Sequence, residues 1–180
     1  MRPVLRALLT APLLLLALPI PAGQVHSEDV QLSELVEMAM AIAVVRPATP
    51  ATVDREITVN KWFRSYEPFR YAADRLVVKE ILHDPGKRLE VGRTIEVAPG
   101  DLAEQYAGHV VYVVDDVIES PIVMSYRGSF DASDATSERI ALLRFGSFQG
   151  SPIAAYSVSG AVEGMERRAE IEALIRAIPR

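Results

Sequence analysis

Cysteine does not occur anywhere in the 180 residues. That absence excludes disulfides, thiolate metal sites, a cysteine nucleophile and a lipid-modified cysteine. Histidine is scarce: His26, His83 and His109 are the only three, with no i, i+4 pair and no H-E-x-x-H neighbourhood. Neither a G-x-G-x-x-G nor a G-x-x-x-x-G-K phosphate loop is present, and no G-x-S-x-G elbow. Positive charge is also short, with 19 Lys+Arg against 24 Asp+Glu for a net −5. The first 23 residues hold Arg2, Arg6 and no acid, which leaves the rest of the chain at −7. A nucleic-acid binder needs a basic face to displace counterions, so this balance argues against nucleic acid as a partner. No cofactor signature and no internal repeat is visible.

The N-terminus carries the three parts of an export signal. Arg2 and Arg6 form a positive start, residues 7–20 are an apolar run, and Ala22, Gly23 and Ser27 supply small residues for cleavage. The run of 14 residues reaches only ~21 Å as a helix, short of the ~30 Å hydrocarbon core. Residues 1–23 are therefore expected to be a cleaved signal, with its boundary between 22 and 27. Residues 24–180 are expected to form one domain, periplasmic or secreted, with no stable membrane span once the signal is gone. A chain of that size buries ~68–70% of its unfolded surface, enough to fold without disulfides.

Past the signal, the periodicity is mostly that of strands. Leu32, Leu35, Val36 and Ala39 form one helical stripe, and residues 41–45 then read as a buried strand closed by Pro47 and Pro50. Residues 55–63 alternate, with Ile57, Val59 and Phe63 on one side. Residues 76–82 and 94–98 are further strands, separated by a turn at His83-Asp84-Pro85-Gly86. Asp101 and Glu104 have capping-box spacing, which predicts two helical turns to Tyr106. Residues 110–114 and 122–126 read as one strand pair, and 139–145 with 153–159 as a second. Ile171, Leu174, Ile175 and Ile178 mark a closing amphipathic helix. The fold class is mainly β with terminal helices: a small OB-like β-barrel of 5–7 strands, a short N-terminal helix and a C-terminal amphipathic helix.

The order of these segments resembles that of bacterial exported domains of the netrin-like, or metalloproteinase-inhibitor-like, OB-fold type. The resemblance rests on residues 32–45, the run Leu76-Val77-Val78-Lys79-Glu80-Ile81-Leu82, then Val91-Gly92-Arg93-Thr94-Ile95-Glu96-Val97, Ile140-Ala141-Leu142-Leu143-Arg144-Phe145 and the closing helix. It implies the fold. Such domains often place Lys-Gly after the second strand, where this chain has His83-Asp84. Inhibitors of that superfamily act through an N-terminal cysteine on the protease zinc, so their mechanism does not carry over to a chain without cysteine.

The densest feature is residues 62–71, which hold five of twelve aromatics and the only Trp. Trp62, Phe63, Tyr66, Phe69, Arg70 and Tyr71 are the candidate ligand-binding residues. Aromatic faces interleaved with arginine stack on sugars or on another protein's side chains. The competing reading makes the rings structural, with Trp62 or Phe63 plugging a barrel end. Arg64, Glu67 and Arg70 break the apolar alternation and Pro68 bars a central strand, which favours an exposed surface. No catalytic and no metal-binding residue is nominated. Asp131, Ser133, Asp134, Thr136 and Glu138 lack the sharp-turn glycine of a cation loop, and Asp115, Asp116 and Glu119 read as an acidic turn.

The expectation is an exported, non-catalytic binding module with a protein or glycan partner. The alternatives are a hydrolase whose triad joins His83 or His109 to a Ser and an Asp in space, and a protease inhibitor that uses a loop in place of cysteine.

Overall fold

A computed structural model describes residues 27–114, 123–126 and 137–178. The expected signal, His26, the acidic turn at Asp115, Asp116 and Glu119, and Asp131, Ser133, Asp134 and Thr136 lie outside the described residues. The elements in chain order are β1 (Ser27–Asp29), α1 (Leu32–Met38), β2 (Ala41–Lys61), β3 (Arg64–His83), β4 (Thr94–Ala98), α2 (Leu102–Val114), β5 (Val123–Ser125), β6 (Arg139–Phe148), β7 (Ser151–Tyr156) and β8 (Val162–Gly164). A 3-10 turn (Met165–Arg167) then leads into α3 (Arg168–Ala177).

The sheet runs β2-β3-β4-β7-β6-β8, and a second pairing of β2 with β6 closes it. Five strands thus form a closed barrel, with β8 as an extra strand beside β6. Only β4 and β7 are parallel neighbours in it; the other pairs are antiparallel. A mixed five-stranded barrel with this order is OB-like. β1 and β5 form a separate two-stranded parallel ribbon.

Residues 41–45 are buried throughout because both neighbours flank them: Ala43 pairs with Ile81 on β3 and with Ala141 on β6. A strand buried on both faces reads as a continuous apolar run rather than an alternating one. They join Leu76, Val78, Val97, Leu142 and Leu143 in the main core, which α1 covers with Leu35 and Val36 and α3 with Ile171. The terminal helices touch each other over one end of this core.

Several expectations are corrected. Pro47 and Pro50 do not close the first strand. The pairing of β2 with β6 ends at Val45, so beyond it β2 is an edge whose missing N–H groups break no ladder. Pairing with β3 jumps from Pro47↔Leu76 to Thr52↔Asp74, and the intervening residues bulge out toward Arg75, whose Nη1 points at the Thr49 and Pro50 carbonyls. Residues 110–114 are not a strand paired with 122–126; they complete α2, and β5 pairs with β1. Leu102, Tyr106, Val110 and Val114 recur every four residues, and three of them are buried while Tyr106 packs at the edge of the same cluster. Tertiary burial of that stripe overrides the strand preference of the valines. β7 ends at Tyr156, short of the expected 159.

Candidate binding arm

β2 and β3 run on together well past the barrel. Pairing with β4 covers only residues 74–77 of β3, so residues 52–61 and 64–73 form a two-stranded arm. At ~3.3 Å per residue the arm is about 33 Å long. One of its faces is lined by Ile57, Val59, Tyr66, Phe69 and Tyr71, and α2 lies on that face with Leu102, Val110 and Val114. Arm, helix and the β6–β7 hairpin share a second, smaller core. Phe69 is its centre, stacked with Tyr71 at 6.0 Å and edge-on to Tyr106 at 5.6 Å; Tyr106 in turn meets Phe148 edge-on at 5.3 Å. His109 lies within α2 rather than at the start of a strand. Its Nε2 is 2.8 Å from the Glu67 carbonyl oxygen, which fixes Nε2 as the protonated nitrogen, and its ring tilts against Phe69.

The six nominated residues divide by position along the arm. Trp62 and Phe63 form its two-residue turn, with Trp62 62% exposed and Phe63 wholly so. Both have positive φ, 51° and 61°. A two-residue hairpin turn of this hand demands left-handed backbone at both central positions, which Asn-Gly meets without strain. Two bulky aromatics there are strained. Behind them Ser65 Oγ donates to Asn60 Oδ1 at 2.9 Å, fixing the base of the turn, and the Lys61 ammonium sits 4.9 Å from the centre of the Trp62 ring. Tyr66 and Tyr71 are half-buried, Arg70 is exposed and paired with Glu56 at 3.2 Å, and Phe69 is buried. Phe69 therefore supports the arm from within instead of facing a ligand. Pro68 falls in a register shift between Ile57↔Phe69 and Val59↔Tyr66, where no ladder bond is lost.

Beside the root of the arm lies a cleft of about 230 Å³ walled by Tyr71, Phe148, Pro152 and Ile153. Arg55 and Glu96 close one rim with a bidentate pair, Nε at 2.8 Å and Nη2 at 2.6 Å. Burial pushes the Tyr71 phenol above its ordinary value, with the Arg55 charge pulling the other way. Arg55, Glu96 and Phe148 escaped the sequence reading, because their neighbourhood is created by strand order and not by local spacing. The β6–β7 turn at Gln149 and Gly150, again left-handed at both positions, sits on the same flank as the arm.

Among the described residues no hydrogen bond joins His83 or His109 to a serine or an aspartate, and no group of three or more His, Asp or Glu side chains could hold a metal ion. No helix there is long and apolar enough to cross a membrane. Comparison of the chain with protein-family models, with curated proteins and with solved structures finds no match in any of the three.

Proposed function

We propose that this protein is an exported, non-catalytic binding module whose working surface is the arm. The observation that carries the reading is the turn at Trp62 and Phe63. Two large rings stand in water at the end of a ribbon, in a backbone conformation that disfavours them. Folding gains nothing from either feature, so a use outside the fold is the economical explanation. OB barrels present ligands to the face between the first hairpin and the hairpin of the last two strands. Here the corresponding flank carries the cleft at Tyr71 and Phe148, whose ring faces and paired charges suit a glycan or a protein side chain.

The test is photo-crosslinking in an exporting host, with the photoreactive residue at position 63 and, separately, at position 152 in the cleft wall. Discrete adducts from either position support the reading, and a chain that gives none from both is not a binding module of this kind. The same preparation reports on export: its N-terminal mass is expected to place the first residue between Gln24 and Glu28, and an intact Met1 would overturn the export reading.

A further inference from the structure

We infer that the cleft at the root of the arm binds one neutral pyranose unit of a glycan. The inference rests on the binding-module reading above and commits the cleft, as distinct from the tip, to one ligand chemistry. At about 230 Å³ the cleft falls just short of the ~300–1,000 Å³ of pockets that take drug-sized molecules, which leaves room for a single ring. The space exists because three neighbouring strands each place an alanine there: Ala73 of β3, Ala98 of β4 and Ala154 of β7. The β6–β7 hairpin contributes Phe148, Pro152 and Ile153, which offer ring faces and aliphatic carbon, and the Ser151 hydroxyl. The arm and β4 contribute Arg55, Tyr71 and Glu96.

Polar groups decide between a sugar and a protein side chain as the occupant. Arg55 spends Nε and Nη2 on Glu96, and its Nη1 has no partner among the described residues. Neither the Tyr71 hydroxyl nor Ser151 Oγ has one there. The Tyr71 phenol lies in the field of both charges of the pair, and burial keeps it protonated, hence a donor. Arg55 and Glu96 cancel in charge, and Glu56 at the same rim is paired with Arg70. The cleft thus sets donors beside carboxylate lone pairs with no net charge. A sugar hydroxyl both donates and accepts, so adjacent hydroxyls of a pyranose match a guanidinium–carboxylate pair that offers both roles in one plane. The C–H face of the same ring suits the apolar wall. An apolar side chain would fill the volume but cover the Tyr71, Ser151 and Arg55 groups without satisfying them, which costs free energy. A charged one meets a pair already neutralised, and an extended peptide finds no N–H at Pro152.

The purified protein is tested by saturation-transfer NMR against three neutral hexaoses (maltohexaose, cellohexaose and mannohexaose) and against hexagalacturonate as the acidic counterpart. At least one neutral hexaose is expected to bind, with a Kd on the order of 1 mM for a single seated ring. Transfer should be strongest to its C–H protons, and salt should leave the affinity unchanged because the ligand carries no charge. Tyr71→Phe removes only the hydroxyl and is expected to weaken binding about three- to tenfold. Arg55→Lys keeps the charge, loses the planar fork and should weaken it at least as much. Ser151→Ala, at an exposed position, repeats the test where folding is not at stake. Failure of all three neutral hexaoses overturns the inference, and so does tighter binding of hexagalacturonate or a set of variants that bind like the parent. If the hexaoses fail while position 63 or 152 still captures a discrete protein, the binding-module reading survives with a protein partner; if both fail, both readings fall.

Discussion

Tyr106 of α2 meets Phe69 of the arm edge-on, with ring centres 5.6 Å apart and planes at 87°. It also meets Phe148 at right angles, with ring centres 5.3 Å apart, so one helix residue joins the arm to the β6–β7 hairpin. A free two-stranded ribbon is marginal in water. This one is held along half its length by the ring ladder and by Val59, Val110 and Val114. Rigid support behind and bare rings in front are two parts of one arrangement.

The division predicts opposite outcomes for neighbouring aromatic substitutions. Phe69→Ala removes a ring only 6% exposed and is expected to cost about 3–5 kcal/mol. Trp62→Ala removes one in water and should change stability by no more than ~0.5 kcal/mol. Urea midpoints of the two variants check this. Comparable losses would mean that Trp62 packs on something in solution and that the tip is not free.

The strain at the turn has its own consequence. Trp62→Asn with Phe63→Gly installs the residues that a left-handed two-residue turn prefers. The double variant is expected to be more stable by about 1–2 kcal/mol. Thermal melts of the variant beside the parent measure the gain. A destabilised double variant would show that the rings serve the fold.

Sequence periodicity made the barrel strands, the first helix and the last helix legible, because residues such as Val44, Val97 and Ile171 are buried by neighbours that their own spacing anticipates. The aromatic cluster was visible too, but its internal division was not. Phe69 and Trp62 differ in exposure because Tyr106 and His109 of α2 pack on Phe69 while Trp62 stands in the turn, and α2 was half-hidden. Its stripe of Leu102, Tyr106, Val110 and Val114 was available in the sequence, yet a run of valines has strand propensity and only burial in three dimensions decides the matter. The same limit hid the pair of Arg55 and Glu96, 41 residues apart and joined only by the strand order.

The closing helix permits a graded test. Ile171 is fully buried in the main core, Leu174 packs against it while half-exposed, and Arg176 faces water. Leu174, at the middle of the stripe by sequence, is therefore not its anchor. Ile171→Ala is expected to cost about 2–5 kcal/mol, Leu174→Ala roughly 1–2 kcal/mol, and Arg176→Ala within ~0.5 kcal/mol. Denaturant melts of the three variants should preserve that order. A Leu174 variant worse than the Ile171 variant would mean that α3 is rotated about its axis.

Alkaline stability should depend on two buried phenols. Tyr156 Oη donates to Asp74 Oδ2 at 2.6 Å, with the Arg139 guanidinium 3.7 Å from the same carboxylate. Tyr126 donates to Glu163, which is fully buried and also reached by Arg167. Burial first, and then the adjoining carboxylates, push both phenols well above their ordinary value of 10.0. The folded state thus prefers the neutral, donating phenol more strongly than the unfolded chain does. Their contribution is intact below about pH 10, where the unfolded chain keeps its tyrosines protonated, and is lost as pH rises toward the folded values. Urea midpoints measured from about pH 8 to 11 are expected to fall in the upper part of that range. Tyr156→Phe should lower stability at neutral pH by about 1–2 kcal/mol, since Asp74 loses its donor. Combined with Tyr126→Phe it should flatten the alkaline decline without abolishing it, because Tyr71 is also raised. An unchanged alkaline slope in the double variant would mean that neither phenol is held buried beside its carboxylate partner in solution.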